Sequence, residues 1–279
     1  MRLFFSGLRK LVRRPATWVT VGVLIGLLAL IIIAVGAGVN ARTARGGGGA
    51  SAVDPKILVT FPGAYDRILQ FVTGLGGLMA LLYGAAIAGS EWGWGTLKSA
   101  VARGESRIRY TLISFASVSV MIAFGILLTF GVGVIAAIVG AHLANVSTAG
   151  LSDSSTLNDL PLRLIKGWFA VVEEGALGFA IATLARSQLA GIGVGIAFYF
   201  GEGFATLFLP DVVKYLPFSV ANASLVTTPA TTTGAGGGGL FSATGNALPA
   251  DQAALFVAVW LIGALVVAAF FADRAEIAG

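Results

Sequence analysis

Long runs of apolar residues, separated by short clusters of charge, dominate the pattern of this chain. Six segments are long and apolar enough to cross a bilayer, whose core needs about 20 such residues per helix. They are predicted at 16–39, 66–90, 110–142, 164–186, 187–209 and 252–272. The pattern therefore predicts an all-α membrane protein, in which residues 1–279 form one transmembrane domain of six helices.

The composition agrees with lipid as the solvent of this chain. Hydrophobic residues make up 57% and charged residues 11%, whereas soluble domains are about 25% charged. A soluble globular fold is therefore excluded. The absence of cysteine excludes disulfides and thiolate chemistry, and a single histidine excludes a cluster of histidine metal ligands. The chain has no Gly-Lys-Ser or Gly-Lys-Thr, so it lacks the Walker A loop with which many ATPases bind phosphate.

The distribution of basic residues predicts the orientation of the helices. With six spans, both termini lie on one side, and that side carries eleven Lys and Arg against four acids. The other side carries seven Lys and Arg against six Asp. Because Lys and Arg accumulate in cytoplasmic loops, both termini are expected in the cytoplasm.

Residues 1–14 are predicted to form an amphipathic helix. Its apolar face is Phe4, Leu8, Leu11 and Val12, and basic residues line the opposite stripe. Pro15 should separate this helix from the first span. A basic amphipathic helix of this kind lies in the membrane interface, so we expect an elbow helix on the cytoplasmic leaflet.

The segment 210–251, on the outer side, is apolar but interrupted by Pro210 and Pro217. It is predicted to hold a re-entrant or interfacial turn, with a folded surface loop as the alternative. Two Gly-rich pieces at 46–49 and 227–239 are predicted to be flexible outer linkers.

The loop 91–107 is organised more than a simple connection requires. Thr96 is predicted to cap a short helix whose apolar face is Leu97, Ala100 and Val101. Gly104 should end that helix, and Ser106 should cap the next one. A short rigid helix across the cytoplasmic ends of two spans is a feature that a soluble partner could grip.

The residues of this loop also resemble a known family. The patterns Glu-x-x-x-Gly-Thr-Leu and Arg-Gly-x-Ser-Arg are similar to the signature of ABC-2 type permeases, the membrane subunits of bacterial ABC exporters. The basic entry into the first span, ending at Trp18, and the exit from Phe271 to Ile277 are similar as well. The order of elbow helix, coupling loop, outer re-entrant segment and six spans also resembles that family.

The resemblance implies a function and a set of partners. The chain would be a permease subunit in the bacterial plasma membrane, paired with a second permease chain as a homodimer or heterodimer to form the path of an exported cargo. It would not itself be an enzyme, since separate ATPase subunits would bind ATP and Mg²⁺ and dock on a coupling helix; no nucleic acid would be involved. The residues expected to couple to the ATPase are Glu91, Trp92, Gly95, Thr96, Leu97, Lys98, Arg103, Gly104, Ser106 and Arg107.

Three acids lie inside predicted spans, at Glu173, Glu174 and Glu202. Charged groups in a membrane are costly, so they usually face protein or water. They are expected in the outer half of the bundle, as part of a substrate path or as structural residues that pair with Lys166 or Lys214 or cap a helix. They also support the alternative function, an ion-coupled secondary transporter, in which they would relay protons without an ATPase.

Overall fold

The computed structural model describes residues 2–44, 55–225 and 248–274, and the fold is presented for these ranges. Within them the chain forms ten α-helices and two short 3-10 turns, and no strand. The helices are α1 (Arg2–Val12), α2 (Pro15–Ala44), α3 (Gly63–Gly93), α4 (Thr96–Val101), α5 (Arg107–Leu143), α6 (Ser154–Ala185), α7 (Gln188–Ala205), α8 (Pro210–Val213), α9 (Pro217–Ala223) and α10 (Ala250–Asp273). The predicted all-α fold class is confirmed.

Five helices are long and apolar enough to cross a membrane: α2, α3, α5, α6 and α10. They indicate a multi-pass membrane protein. Helix α7 covers most of the fifth predicted span, 187–209, but has only 18 residues and is not among these five. Its Gln188 and Glu202 lower its mean hydropathy, because both side chains are strongly polar.

Helices α3 and α6 form the centre of the bundle. In their most apolar stretches, 67% of α3 and 72% of α6 are buried, against 22% of α2 and 17% of α10. The outer faces of α2 and α10 are apolar, as lipid-facing surfaces must be. The residues of α3 and α6 are therefore the ones that protein packing holds most firmly.

Small residues bring α3 and α6 together. A Cβ at Gly84 would meet the carbonyl of Gly175, and a Cβ at Gly178 would meet the backbone of Leu81. Glycine removes the side chains that would otherwise keep two helix backbones apart in a membrane. The two helices therefore touch through their main chains.

Helix α7 packs against this central pair through its own glycines. A Cβ at Gly191 would meet Ala182 of α6, and one at Gly195 would meet Leu81 of α3. Gly193 points away, with no neighbouring atom within 4 Å of its Cβ position. The spaced glycines Gly191 and Gly195 thus serve contacts within the chain.

Helix α6 begins ten residues before the predicted start at 164, because Asp153 caps it. The Asp153 carboxylate accepts hydrogen bonds from the Thr156 hydroxyl at 2.6 Å and the Thr156 backbone N–H at 3.1 Å. The hydrogen bond from the Thr156 hydroxyl lowers the pKa of the Asp153 carboxyl. The low content of charged residues predicted the apolar part of this helix, from 164 onward. The helix also includes the more polar residues 154–163.

Helix α1 packs mainly against α5. Leu11 is buried, and Phe4 and Leu8 are half-buried, as the predicted apolar face requires. Val12, the last residue of α1, is 42% exposed. Pro15 is the first residue of α2, as expected of a residue that cannot continue a helix.

The predicted outer segment, which begins at residue 210, forms α8 and α9 at the end of the bundle away from α4. Pro210 and Pro217 are each at the start of their helix. Helix α9 is buried against α10 and α6, with Phe218 and Val220 5% and 0% exposed. The predicted linkers at 46–49 and 227–239 lie outside the described residues. The end of the bundle that carries α4 is called the α4 end, and the other is called the α9 end.

Candidate functional site: a buried carboxylate beneath helix α4

Helix α4 is bounded by two glycines with left-handed backbones. Gly95 has φ +65° and Gly104 has φ +86°, which L residues with side chains adopt at a cost. After α4, the N–H of Gly104 donates to the Val101 carbonyl at 2.9 Å, and that of Glu105 to the Ala100 carbonyl at 3.3 Å. This pair of bonds is a Schellman motif. Gly104 therefore ends the helix, as the sequence predicted.

Ser106 then begins α5. Its backbone is extended, and its hydroxyl accepts a hydrogen bond from the backbone N–H of Arg109 at 3.3 Å. This is the N-cap that the sequence predicted. The two ends of the Gly104–Ser106 connection are thus both fixed by local hydrogen bonds.

Thr96 does not act as the predicted cap. It is the first residue of α4, and Gly95 precedes the helix. The Thr96 hydroxyl donates to the Glu91 carboxylate at 2.5 Å instead of accepting a backbone N–H. A charged acceptor is a stronger partner for a hydroxyl than a neutral amide, which explains the difference.

The inner face of α4 is the one that its sequence predicted. Leu97 is 5% and Ala100 1% exposed, and Val101 is half-buried. Ser99, Ala102 and Arg103 point outward and are exposed. The helix is therefore seated on the bundle by its apolar face and leaves Ser99 exposed, while Ala102 and Arg103 follow its end at Val101.

The Glu91 carboxylate is the centre of this region. The residue lies at the end of α3, is 7% exposed, and accepts a 2.5 Å hydrogen bond from the ammonium group of Lys10 in α1. It also accepts hydrogen bonds from the hydroxyls of Thr96 in α4 and Tyr110 in α5. One carboxylate thus connects four helices, and its burial keeps it from touching a partner protein directly.

Arg14 completes the cluster from the turn between α1 and α2. One of its nitrogens lies 3.5 Å from Glu91 Oε1, and another donates to Ser90 Oγ at 2.7 Å. Its guanidinium group stacks on the ring of Trp94, 4.8 Å from the ring centre. Because Trp94 is 68% exposed, this stack forms part of the outer surface beside α4.

Sequence reasoning missed Lys10, Arg14 and Tyr110 as partners of Glu91. The two basic residues were counted only as part of the cytoplasmic charge excess. The one available signal for these contacts was Glu91 itself, because an acid at the end of an apolar span needs a partner. It did not say which of several basic residues would supply that partner.

The other predicted coupling residues are spread around this cluster. Trp92 is half-buried, with the guanidinium of Arg186 5.6 Å from its ring centre. Arg107 donates to the backbone carbonyl of Asp273, at the end of α10, at 2.7 Å. Arg103, Gly104 and Ser106 are exposed and make no hydrogen bond to Glu91. Lys98 lies within α4, and its side chain is outside the described part.

The crevice between α4 and the bundle is too small for a ligand. It measures about 20 Å³ and is lined by Glu91, Trp92, Leu97 and Tyr110, among others. That volume holds about one water molecule. The crevice therefore does not hold a small molecule, and the helices around it are linked through the hydrogen bonds of Glu91.

The three predicted intramembrane acids come together elsewhere in the bundle. Glu173, Glu174 and Glu202 are 0%, 3% and 4% exposed. The Glu174 carboxyl occupies the space beside Gly77, at the middle of α3. Glu174 thus lies level with the middle of α3, whereas Glu202 lies near the end of α7, beside α9. Within the described ranges, no ion pair joins them to Lys166 or Lys214, and Lys214 pairs with Asp211 at 3.5 Å instead.

Glu202 has the structural role that was one of the predicted alternatives. Its carboxylate oxygens accept hydrogen bonds from the backbone N–H groups of Ser219 at 2.6 Å and Phe218 at 3.3 Å. These groups belong to the first turn of α9, so Glu202 caps that helix from α7. Neither oxygen of Glu173, nor Oε2 of Glu174, has a hydrogen-bond partner among the residues that the structure describes.

No family model matches this chain, and no curated protein is significantly similar to it.

Proposed function

We propose that this chain is the permease subunit of a bacterial ABC-2 type exporter. It would sit in the plasma membrane with both termini in the cytoplasm. Helix α7 would cross the membrane together with the five long helices, which makes six spans. Two such chains would pair around the path of the cargo, and separate ATPase subunits would bind ATP and Mg²⁺. The proposal rests on the sequence resemblance of the loop 91–107 together with the form that this loop takes.

One observation carries the proposal: α4 is a short helix held rigidly at the end of the bundle with a free outer face. Its inner face is buried through Leu97 and Ala100, and glycines with fixed left-handed backbones bound it. A helix seated in this way moves with its neighbours as a rigid body. Force applied to it by a closing ATPase would reach the spans directly.

Glu91 gives α4 its connection to the rest of the protein. The Thr96 hydroxyl ties α4 to Glu91, and Lys10 and Tyr110 tie Glu91 to α1 and α5. A displacement of α4 would therefore be passed to three other helices at once. In this function Glu91 is a positioning residue, while the outer residues of the loop, such as Arg103, would touch the ATPase.

The test is co-purification of the tagged chain, expressed with its chromosomal neighbours, in mild detergent. We expect an ATPase with a Walker motif to purify with it, and Arg103→Glu to reduce the amount by about tenfold, as loss of a contact of about 1.4 kcal/mol would do. Lys56→Glu makes the same charge change in the connection between α2 and α3, at the α9 end of the bundle. This control variant should leave the complex intact. Failure to recover any ATPase with an intact chain would refute the proposal.

The alternative function, ion-coupled secondary transport, is favoured by a different observation. Glu173 and Glu174 are buried, and three of their four carboxyl oxygens have no hydrogen-bond partner among the described residues. Buried acids of this kind mark ion paths in transporters. A chain that transports without an ATPase, driven by a proton gradient and inactivated by Glu173→Gln, would establish this alternative.

A further inference from the structure

Three carboxyl groups from two helices share one closed region in the middle of the bundle. Glu173 and Glu174 come from α6 and Glu202 from α7. Glu202 is close enough to interact electrostatically with both of the others. With exposed fractions of 0%, 3% and 4%, none of the three residues reaches solvent.

The hydrogen bonds of this group are incomplete among the described residues. Glu202 is satisfied by two backbone N–H groups of α9, but Glu173 Oε1, Glu173 Oε2 and Glu174 Oε2 are buried and unpartnered. Buried polar atoms are hydrogen-bonded in roughly nine cases of ten or more. The unpartnered oxygens therefore point to a ligand that supplies hydrogen-bond donors to them.

The neighbouring helices, as far as the structure describes them, do not supply a cation to these acids. Tyr199 of α7 is within electrostatic reach of Glu174 and Glu202 and carries no positive charge. Lys166 of α6 makes no ion pair with them, and Lys214, directly after α8, is paired with Asp211. The remaining charged groups of the packed helices lie towards the helix ends, namely Asp66, Arg67 and Glu91 of α3, Arg107, Arg109 and His142 of α5, and Asp251 and Asp273 of α10. Tyr65 and Tyr83 of α3 and Tyr110 of α5 are hydrogen-bonded to Leu151, Thr17 and Glu91.

A proton is the ligand that fits this site. The three acids, all within the described ranges, do not form a group that could hold a metal ion, and the Glu174 carboxyl fills the space that a Cβ at Gly77 would take. A proton needs no cavity, and once bound to a carboxylate it supplies the hydrogen-bond donor that is missing. It comes from water, forms one O–H bond, and removes one negative charge from the interior.

We propose that Glu173, Glu174 and Glu202 form a proton-binding site that controls whether α9 is seated on the bundle. The link is Glu202, whose carboxylate caps α9, and the ring of Phe218, which packs 4.8 Å from the ring of Tyr199 on α7. While α9 is seated, Glu173 and Glu174 are shielded from water and retain protons, and the Glu202 carboxylate accepts the two N–H groups of α9. When the protons leave, the negative charges repel one another and favour hydration, and α9 lifts to admit water.

The direction of the pH effect follows from this scheme. The seated state holds more protons than the open state, so acid favours seating and higher pH favours opening. If the difference is one proton, the ratio of open to seated protein changes about tenfold per pH unit. This inference does not depend on an ATPase, so it stands or fails separately from the proposed function.

Cysteine labelling tests the scheme on the full chain, which contains no cysteine of its own. Ala221 of α9 is 3% exposed, and Val212 of α8 is 57% exposed. In membranes, alkylation of Ala221→Cys by a membrane-impermeant maleimide should accelerate as the pH rises. The rate is divided by that of Val212→Cys, which corrects for ionisation of the thiol.

Glutamine variants decide whether the acids cause that effect. Glu173→Gln with Glu174→Gln imitates the protonated acids, so the corrected rate should stay low and become independent of pH. Glu105→Gln, an acid at the α4 end, should leave the pH dependence unchanged. A corrected rate that does not vary with pH in the parent, or that still varies in the double variant, would overturn the proposal.

An infrared measurement addresses the bound protons themselves. At neutral pH, the purified chain in nanodiscs should show the C=O stretch of protonated carboxyl groups, and the double glutamine variant should lose most of that band. Its thermal midpoint should match that of the parent, which separates this result from misfolding. The assignment would be contradicted by the absence of this band in the parent. It would also be contradicted if the double variant unfolded because it had lost a bound cation.

Discussion

The Lys10 ammonium group donates a 2.5 Å hydrogen bond to the carboxylate of Glu91, across a separation of 81 residues. This contact attaches the amphipathic helix α1 to the end of α3. Because the hydroxyls of Thr96 and Tyr110 bind the same carboxylate, the position of α4 is tied to that of α1. Helices α1 and α4 are therefore parts of one unit.

Glu91→Gln should destabilise the protein markedly. The change leaves Arg14, whose side chain is 10% exposed, without its charged partner, and breaking a buried pair costs about 3 kcal/mol. The thermal midpoint in detergent should fall by several degrees. Glu105→Gln is the matched control, since its 3.9 Å pair with Arg109 is at the surface and is worth less than about 1 kcal/mol. Equal shifts for the two variants would show that Glu91 is not a joint.

Lys10→Met and Tyr110→Phe should show coupled effects. Both residues donate to Glu91 from different helices, so the loss of one donor changes the value of the other. Residues in one hydrogen-bond network couple by about 0.5–3 kcal/mol. A double-mutant cycle on the free energy of unfolding measures this, and strict additivity would argue against a shared joint.

Gly178→Ala should destabilise the bundle, whereas Gly193→Ala should not. A Cβ at Gly178 would collide with the backbone of Leu81 in α3, while the position of Gly193 is open. Overpacking costs about 1–3 kcal/mol, and alanine in an open helical position gains up to about 1 kcal/mol over glycine. The two thermal midpoints should therefore move in opposite directions. The same sign for both would mean that α3 and α6 do not touch through their main chains.

Gly104→Ala should disturb the end of α4. Its φ of +86° is costly for a residue with a side chain, by about 1–3 kcal/mol. We expect a lower thermal midpoint and weaker co-purification of the proposed ATPase. Gly93→Ala, at the end of α3, serves as the control, because its Cβ position has no neighbour within 4 Å. An unchanged complex with Gly104→Ala would show that the exact setting of α4 is unimportant for docking.

Local chemistry in the loop 91–107 was largely readable from the sequence. Gly104 ends α4 and Ser106 caps α5 as predicted, since each depends on hydrogen bonds between residues within about five positions. The apolar face formed by Leu97 and Ala100 follows from helical spacing. Thr96 was assigned wrongly because its hydroxyl meets a carboxylate whose position depends on three other helices.

The acids show the same division. The sequence located Glu173, Glu174 and Glu202 in apolar segments, and the cost of burying charge marked them as special. It did not show that Glu202 caps α9 or that Glu174 lies against Gly77. Those contacts depend on how α6 and α7 are rotated and on which neighbours they meet.

The sequence by itself determined the helical class, five long apolar helices among the six spans that it predicted, and the turn chemistry of Gly104 and Ser106. These follow from the length of charge-free runs, from helical periodicity and from glycine and serine at helix ends, all of which act over a few residues. Tertiary structure alone decided that Lys10 and Arg14 reach Glu91 and that three carboxyl groups share one interior site. Such contacts join residues far apart in the chain, and the apolar pattern of a membrane helix specifies its length much better than its neighbours.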